Sequence, residues 1–590
     1  MAFTTHAENL RDLKSDTWVA TDALGRALPG YEETGPPKAG RHVGIFYFLT
    51  HNQSDGDGPF DVTKIKAENP EDPQWGRGAH FWGEPEYGYY QSRDPWVIRR
   101  HAQLLSDAGV DTLIFDTTNN VTYPEVITAI GETFLEMRAA GEKTPQFCFL
   151  ASEQSIRQIW EEVYEPGRFR ELWFEWQGKP LLIFGQWEKV SPMWEVELPE
   201  HIQEFFTIRE SWAWTTLPWY NKQGKHAWPW VAHHPQPAGW DKNPTQAEQV
   251  PVTVAQHPLS NIGRSFHKGQ QPHPDRYDIT PYTDYGLCFQ EQWDTAINID
   301  PEFIFVTGWN EWTAGAQTMG DDVEESLAFW DFFPGADLGM AGREVLPGET
   351  YFIDQYNQEY SRDIEPMLGG HADNYYYQLW ANIRRYKGVR KPEAPSAPAH
   401  IDIEGSFAQW DTVGPEYLAH SVMTINRDYP GVASAGPYVN QSGRNELLRF
   451  KVARDAEQVY FYAKTQDPLT AHTDPHWMLL FIDVDQNHQT GWEGYDYLIN
   501  LEVKDEHTTT LLRYDAQEGW KNPVELPYRA EGNQLMLAIP RHLLALPESP
   551  LALDFKWADN IQQLDDITAF FVDGDSAPPR RANYRFQTEE

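Results

Sequence analysis

The chain has 590 residues, of which 40% are hydrophobic and 14% aromatic, and this length predicts at least two domains. A formal net charge of −41 excludes nucleic acid and anionic membranes as partners, because both would be repelled. The 25 Trp residues favour a sugar ligand, since aromatic faces stack on sugar rings, although large cores also use Trp.

The N-terminal segment, MAFTTHAENLRDLKSD, lacks the apolar stretch of a signal peptide, and no long apolar run occurs later. We therefore expect a soluble protein, either cytoplasmic or exported with its signal peptide already removed. Cys148 and Cys288 lie in apolar stretches and are predicted to be buried free thiols. The oligomeric state stays open.

Residues 1–388 are predicted to form one domain, in which short β-branched or aromatic runs alternate with helical segments from about residue 41 and predict parallel strands and crossover helices. In DPWVIRRHAQLLSDAG, Asp94 caps a helix, Pro95 takes its first position and Gly109 ends it. Eight strand candidates are present, the number that an α/β (β/α)8 TIM barrel needs. They are Val43–Leu49, Asp111–Asp116, Gln146–Ala151, Pro180–Phe184, Phe205–Arg209, Val250–Ala255, Glu302–Thr307 and Thr350–Asp354.

Residues 389–399 are rich in proline, with Pro392, Pro395 and Pro398 at intervals of three, and are predicted to form an extended linker. From residue 400 to residue 590 the pattern changes to short alternating strands without helical crossovers. This pattern predicts an antiparallel β-sandwich domain.

Candidate chemistry concentrates in FIFVTGWNEWTAG, where a buried strand runs into Trp309, Asn310, Glu311 and Trp312. Active sites of such barrels lie at the carboxyl ends of the strands. A carboxylate between two indoles is partly desolvated, which is expected to raise the pKa of Glu311 and suit it to general acid catalysis.

This WNEW motif resembles glycoside hydrolase families 71 and 99 and the related family 99-like proteins. Four further segments are similar to bacterial members of that group: GIFYFLTH, HFWGEPEYGYY, WFEWQGKPLLI and DQYNQEYSRDIEP. The resemblance covers about residues 40–390 and implies a (β/α)8 catalytic domain that acts on glycosidic bonds. Family 99-like proteins carry a second glutamate three residues after the first, but Ala314 stands there in this chain.

The second carboxylate that glycoside hydrolysis requires must therefore come from elsewhere. Asp116 follows the second predicted strand and Glu153 follows the third, and both are candidate catalytic residues. Glu210 and Glu84 are held in reserve. The alternative is structural, because acids at strand ends also cap helices and anchor loops.

Six residues are predicted to line the sugar subsites. They are His51, Trp82, His257, Trp309, Asn310 and Trp312. The alternative for the histidines is a satisfied position at the top of the barrel. No histidine pair has the HExxH spacing, so we expect no catalytic metal and no cofactor for catalysis.

The C-terminal domain resembles a family 9 carbohydrate-binding module through IDIEGSFAQWDTV, FIDVDQNHQTGWEGYDYLIN, FKWADN and FFVDGDSAPPRRANYRF. Asp483, Asp485 and Asn487 alternate along the chain, so their oxygens are candidate ligands of a structural Ca²⁺. A hydrogen-bonded turn explains the same spacing.

The leading hypothesis is a glycosidase that cleaves an oligosaccharide or a polysaccharide. Two alternatives use the same residues: a non-catalytic glycan-binding protein on a degenerate barrel, and a transglycosylase. The first binds sugar without releasing reducing ends, and the second transfers the sugar to an added acceptor.

Overall fold

The computed structural model describes residues 10–52, 56–69, 80–184, 198–211, 228–240, 245–256, 261–272, 280–313, 315–322, 347–348, 350–352, 355–546 and 550–588. Residues 10–388 form a barrel region of mixed α/β structure, and residues 400–588 form a C-terminal region of antiparallel strands. Within these ranges, no helix has the length and apolar character needed to cross a membrane.

Seven parallel strands form the central sheet of the barrel region. They are β1 (His42–Tyr47), β2 (Thr112–Thr117), β3 (Gln146–Ala151), β4 (Lys179–Phe184), β5 (Thr207–Glu210), β6 (Gln249–Thr253) and β7 (Phe303–Thr307). Their order in the sheet is β5-β4-β3-β2-β1-β7-β6, and a short antiparallel strand, Glu175–Trp176, also pairs with β4. The parallel pairing that the alternating pattern predicted is confirmed for these strands.

Helices connect the strands and cover the sheet. They are α1 (Pro95–Ala108), α2 (Pro124–Ala139), α3 (Glu153–Ile159), α4 (Glu200–Phe205), α5 (Leu287–Ile299) and α6 (Asn374–Lys387). The predicted ends of α1 are confirmed: the Asp94 side chain accepts from Trp96 N and Val97 N, and Gly109 follows with a φ of 88°. Further helices are Tyr31–Thr34, Val62–Glu68 and Ala569–Val572.

The predicted eighth barrel strand, Thr350–Asp354, is wrong. Thr350–Phe352 (β9) instead pairs with Ala316–Thr318 (β8) in a separate antiparallel sheet. β7 pairs directly with β1, with Phe303 opposite His42, so no strand fits between them. The aromatic and β-branched residues of the run do favour a strand, but strand propensity does not choose the partner.

An ion pair joins the two edge strands of the sheet, which share no ladder among the described residues. Arg209 in β5 binds Glu248, just before β6, through Nε at 2.8 Å and a terminal nitrogen at 2.6 Å. The indoles of Trp176 and Trp228 donate to the same carboxylate at 2.7 and 2.8 Å. The Arg209 and Glu248 side chains are 3% and 5% exposed. A buried carboxylate with all these donors therefore joins β5 to β6 across the open side of the barrel.

The barrel interior is filled with apolar side chains from alternate strand positions. These include Phe46, Phe48, Ile114, Cys148, Leu150, Leu181, Ile183, Phe303 and Phe305. Both cysteines are free and buried, which confirms that prediction. The interior is thus a packed core, and solvent-facing chemistry is confined to the ends of the strands.

The C-terminal region contains one continuous antiparallel sheet of eleven strands. In sheet order they are Tyr417–Leu418, Leu447–Arg454, Gln458–Thr465, Gln534–Pro540, Gly519–Glu531, Thr508–Asp515, Tyr497–Ile499, Leu479–Asp483, Ala552–Asp559 and Asp575–Ala577, with Tyr584–Gln587 also pairing with Ala552–Asp559. A separate hairpin joins Arg427–Tyr429 to Tyr438–Asn440.

The antiparallel architecture was predicted, but two separate sheets were not found. The long strand Gly519–Glu531 pairs with strands of both halves, so the halves are continuous. The sheet folds back on itself, and Phe450 stacks on Trp557 with ring centroids 6.2 Å apart. Trp557 is therefore a core residue without a face for sugar.

Residues 389–399 contain no helix or strand, and most of them are exposed. Two of their amides donate to the C-terminal region, Ser396 N to Gly414 O at 2.9 Å and Ala399 N to Arg454 O at 2.8 Å. The segment has no regular secondary structure, and its later part is hydrogen-bonded to the region that follows.

Buried ion pairs connect the C-terminal region to the barrel region. They are His420 with Asp107 and Glu142, Arg427 with Asp94, Arg580 with Glu86, and Arg581 with Asp373. In each pair the barrel region supplies the acid and the C-terminal region supplies the base. Separating the regions would therefore leave buried charges unpaired, which is strongly destabilising.

We expect this interface to weaken at alkaline pH. Burial lowers the pKa of His420, but the charges of Asp107 and Glu142 outweigh burial and raise it to about 10, above its ordinary 6.5. The stabilisation is therefore complete below about pH 6.5 and is lost as the pH rises through about 10. His420→Gln should lower the free energy of unfolding by about 3–5 kcal/mol at pH 6.5, because two buried carboxylates lose their partner.

Urea titrations of the wild type and the variant between pH 6.5 and 10 measure this difference. It should shrink as the pH rises, because the wild-type imidazolium deprotonates. A difference that stays constant over this range would contradict a charged His420.

Candidate active site

The chain beyond β7 is tied to the end of β1. Trp309 N donates to Phe46 O at 2.8 Å. The Asn310 side chain then binds the backbone of Phe48 twice, accepting from its N–H at 2.8 Å and donating to its carbonyl at 3.1 Å. The Asn310 side chain, which was predicted to bind sugar, thus pairs with the backbone of Phe48 in the way a residue of a neighbouring strand would. These bonds place Glu311 at the carboxyl end of the barrel, where active sites of such barrels lie.

The Glu311 carboxylate is held by two donors from the segment after β9. Its Oε2 accepts from Gln355 Nε2 at 2.6 Å and from a terminal nitrogen of Arg362 at 2.8 Å. The Glu311 side chain is 12% exposed and that of Arg362 is 1% exposed. A buried guanidinium stabilises the ionised carboxylate. This environment suits an anionic role for Glu311 better than the general acid role expected from the flanking indoles.

The tryptophans around Glu311 support the motif from within the core. Trp82 stacks on Trp312 with ring centroids 4.4 Å apart and planes inclined by 17°. Trp82 Nε1 donates to Asp363 at 3.0 Å, and Trp312 Nε1 donates to Glu365 at 2.6 Å. Trp82, Trp309 and Trp312 are all fully buried. They were predicted to line sugar subsites, but stacking and hydrogen bonds account for the positions of Trp82 and Trp312, and packing in the core accounts for that of Trp309.

Asp363, which sequence reasoning missed, orients the Glu311 backbone. Its Oδ1 accepts from Glu311 N at 2.6 Å, across 52 residues of sequence. Burial raises the pKa of Asp363 to about 6, although the hydrogen bond from Glu311 and the charges of Arg264 and Arg362 oppose the shift. The available signal was the dense run of charges in SRDIE, inside an otherwise aromatic segment.

A second missed residue, Glu365, gathers three donors beneath the site. It accepts from Tyr90 Oη at 2.7 Å, Trp312 Nε1 at 2.6 Å and His101 Nε2 at 2.9 Å. His101 Nδ1 in turn bonds Tyr47 Oη at 2.9 Å. Glu365 is fully buried, so this network fixes β1, α1 and the WNEW motif relative to one another.

The two candidate second carboxylates lie in different surroundings. Asp116 is on the same side of β2 as Ile114, which points into the barrel, so Asp116 lies on the axis-facing side at the carboxyl end. Its Oδ1 accepts from Thr118 N and Oγ1 at 3.0 and 2.7 Å. Glu153 lies in the first turn of α3, half exposed and 3.5 Å from Arg157. The geometry favours Asp116.

The reserve carboxylates are less suited to the role. Glu84 forms an ion pair with Lys64. Glu210 ends β5 on the face opposite to Arg209, whose side chain binds Glu248. Neither position offers an unpaired carboxylate on the axis of the barrel.

His51 ends the run that follows β1 and is 2% exposed. Its ring lies 5.9 Å from that of Phe81 and 5.7 Å from that of Tyr90. Burial and then the charge of His101 lower the pKa of His51 to about 3, so the imidazole is neutral. Neither ring nitrogen has a hydrogen-bond partner among the described residues. His257, the other predicted histidine, lies outside them.

Two of the three predicted cation ligands in the C-terminal region, Asp483 and Asp485, belong to an acidic cluster. Carboxylate oxygens of Asp483, Asp485 and Asp496 lie within 4.8 Å of one another. Burial and then neighbouring acids, Asp554 first, raise the pKa of Asp483 to about 8. Asn487 accepts from Gln489 N at 3.1 Å in a turn. Three carboxylates this close together offer the oxygen ligands that a hard cation such as Ca²⁺ prefers.

No protein-family model matches the chain, and no curated protein matches it. Two solved structures of the GH99 endo-α-mannosidase from Bacteroides thetaiotaomicron, one of them with BIS-TRIS-propane, are similar at 12% identity and a TM-score of 0.32. They cover 60% and 59% of this chain and 99% and 98% of their own chains. A glycoside hydrolase-like protein has 10% identity and a TM-score of 0.27, over 60% of this chain and 95% of its own.

Proposed function

We propose that the chain is a glycosidase in which Glu311 acts on the sugar at the carboxyl end of the barrel. One observation carries the proposal. The Glu311 carboxylate is partly exposed at that end, and buried Arg362 holds it together with Gln355. Asp363 and Trp82 bind its backbone, and Glu365 binds the indole of Trp312, an arrangement expected of a preorganised catalytic group.

Glycoside hydrolysis divides the work between two carboxyl groups. One protonates the leaving oxygen, and the other, ionised, activates a water molecule or attacks the sugar. Glu311 takes the ionised role, because Arg362 stabilises its negative charge. Asp116 is the proposed proton donor, since it faces the barrel axis on β2. β2 and β7 both flank β1, so their axes lie roughly 10 Å apart.

The proposal is tested by incubating the purified chain with a broad panel of neutral glycans and measuring the release of reducing ends. Release from any member supports a glycosidase, and products extended by an added acceptor sugar would instead identify a transglycosylase. Sugar binding without release would favour the glycan-binding protein. His51 is the proposed subsite residue, because neither nitrogen of its neutral imidazole has a hydrogen-bond partner in the described part of the chain.

The acidic cluster of the C-terminal region is proposed to bind Ca²⁺ through Asp483, Asp485 and Asp496. Calcium at a hundredfold excess over its Kd should stabilise the chain by about 2–3 kcal/mol, because it binds only the folded cluster. Thermal unfolding with and without calcium measures this gain. The double substitution Asp483→Asn and Asp496→Asn should abolish the response, whereas Asp515→Asn, at an exposed acid paired with Lys521, should retain it. Equal responses in both variants would contradict the site.

A further inference from the structure

Arg580, a residue of the C-terminal region, binds a loop of the barrel region. Its two terminal nitrogens bind the two carboxylate oxygens of Glu86, one of them at 2.9 Å. The Arg580 and Glu86 side chains are 3% and 4% exposed. The guanidinium also lies 3.9 Å from the centroid of the Phe571 ring, which fixes its plane. A bidentate, desolvated pair of this kind sets the position of both partners.

Glu86 lies in the 80–92 loop, which pairs with residues 362–368, here called the inner segment. Glu86 N donates to Pro366 O at 2.9 Å, and Leu368 N donates to Glu84 O at 3.0 Å. Farther along the loop, Tyr90 Oη donates to Glu365 at 2.7 Å. The loop and the inner segment are therefore joined by hydrogen bonds at three places.

The C-terminal hairpin holds the same loop from its outer side. Tyr89 N donates to Tyr438 Oη at 2.8 Å, and Val432 N donates to Tyr89 O at 2.8 Å. Arg427 donates to Tyr87 O at 2.9 Å. The 80–92 loop is thus clamped between the C-terminal region and the inner segment.

The inner segment begins with the two residues that hold Glu311. Arg362 binds the Glu311 carboxylate at 2.8 Å, and Asp363 accepts from its backbone N–H at 2.6 Å. Trp82, from the 80–92 loop, donates to Asp363 at 3.0 Å and to Glu311 O at 3.1 Å. A continuous set of contacts therefore runs from Arg580 to the carboxylate.

We propose that Arg580 is a positioning residue for Glu311, acting through Glu86, the 80–92 loop and the inner segment. The C-terminal region is then part of the catalytic apparatus rather than an independent sugar-binding module. The inference rests on the proposed function for its effect on catalysis. The structural coupling of Arg580 to Glu311 can be measured without any substrate.

The experiment compares Arg580→Met with Arg444→Met in the full chain. Arg444 is the matched control, because it binds buried Asp559 at 2.7 Å within the C-terminal region. Hydrogen exchange is followed in peptides that cover residues 80–92, 309–313 and 360–368. We expect Arg580→Met to accelerate exchange about tenfold in all three peptides, and Arg444→Met to leave them at the wild-type rate.

Wild-type exchange of residues 309–313 in Arg580→Met would overturn the proposal, and so would equal acceleration in Arg444→Met. If Arg580→Met does not fold, the double variant Glu86→Gln with Arg580→Met replaces it. That variant leaves no unpaired buried charge, and the same acceleration is expected.

Activity provides the second readout, on any glycan that the wild type cleaves. Arg580→Met should lower kcat about tenfold and leave KM unchanged, because it displaces Glu311 without removing a sugar contact. A rise in KM at constant kcat would contradict positioning. If the wild type cleaves nothing, the proposed function fails while the exchange data still decide the coupling.

Discussion

Glu311→Gln should abolish glycan cleavage while the chain remains folded. Glutamine keeps the size of the side chain and its carbonyl oxygen, so Arg362 and Gln355 retain an acceptor. The negative charge is lost, and with it the ability to take a proton or to attack a sugar. We expect kcat to fall by about 10²–10⁴-fold or more, the range associated with one acid–base group.

The measurement is the release of reducing ends at saturating substrate, with the unfolding transition recorded for each variant. Asp116→Asn should produce a comparable loss if Asp116 is the proton donor. Glu153→Gln is the matched control, because Glu153 lies half exposed in a helix turn and should retain wild-type kcat. Full activity in Glu311→Gln would refute the assignment of this residue.

Glu248→Ala should strongly lower the free energy of unfolding of the chain. The substitution leaves the Arg209 guanidinium buried without its counter-charge and removes the acceptor of the Trp176 and Trp228 indoles. Breaking a buried pair by removing one partner costs about 3–5 kcal/mol. We expect a loss of this size in the free energy of unfolding, measured by denaturant titration of tryptophan fluorescence.

The control for this prediction removes both charges together. Glu248→Met combined with Arg209→Met leaves no buried ion and keeps much of the volume, so it should cost far less than Glu248→Ala. If the two variants are equally unstable, the ion pair does not hold β5 and β6 together. The packing of the Trp176 and Trp228 indoles must then do so.

The first seven barrel strands were predictable because each is a short apolar run followed by a polar loop and a helix. Val43–Leu49 and Glu302–Thr307, for example, overlap β1 and β7 closely. The run at Thr350 has the same local character, yet it pairs outside the barrel. Pairing depends on residues distant in sequence, and local propensity carries no information about it.

The candidate site was only partly predictable for the same reason. Glu311 stands in a motif, whereas Asp363 contacts it across 52 residues and Arg362 comes from the same distant segment. The tryptophans beside Glu311 were read as sugar platforms from their type alone. They are buried because the 80–92 loop and the inner segment pack against them. No local sequence pattern predicts that these distant segments come together there.

The bonds between Asn310 and Phe48 bear on how this motif should be used in genome searches. The asparagine serves the join between the last and first strands of the barrel, and it would be needed there in a chain that had lost all chemistry. Retrieving sequences by WNEW therefore also selects chains that keep the asparagine for this join alone. On the proposed function, the arginine, amide and aspartate that surround the glutamate are the residues to add to such a search.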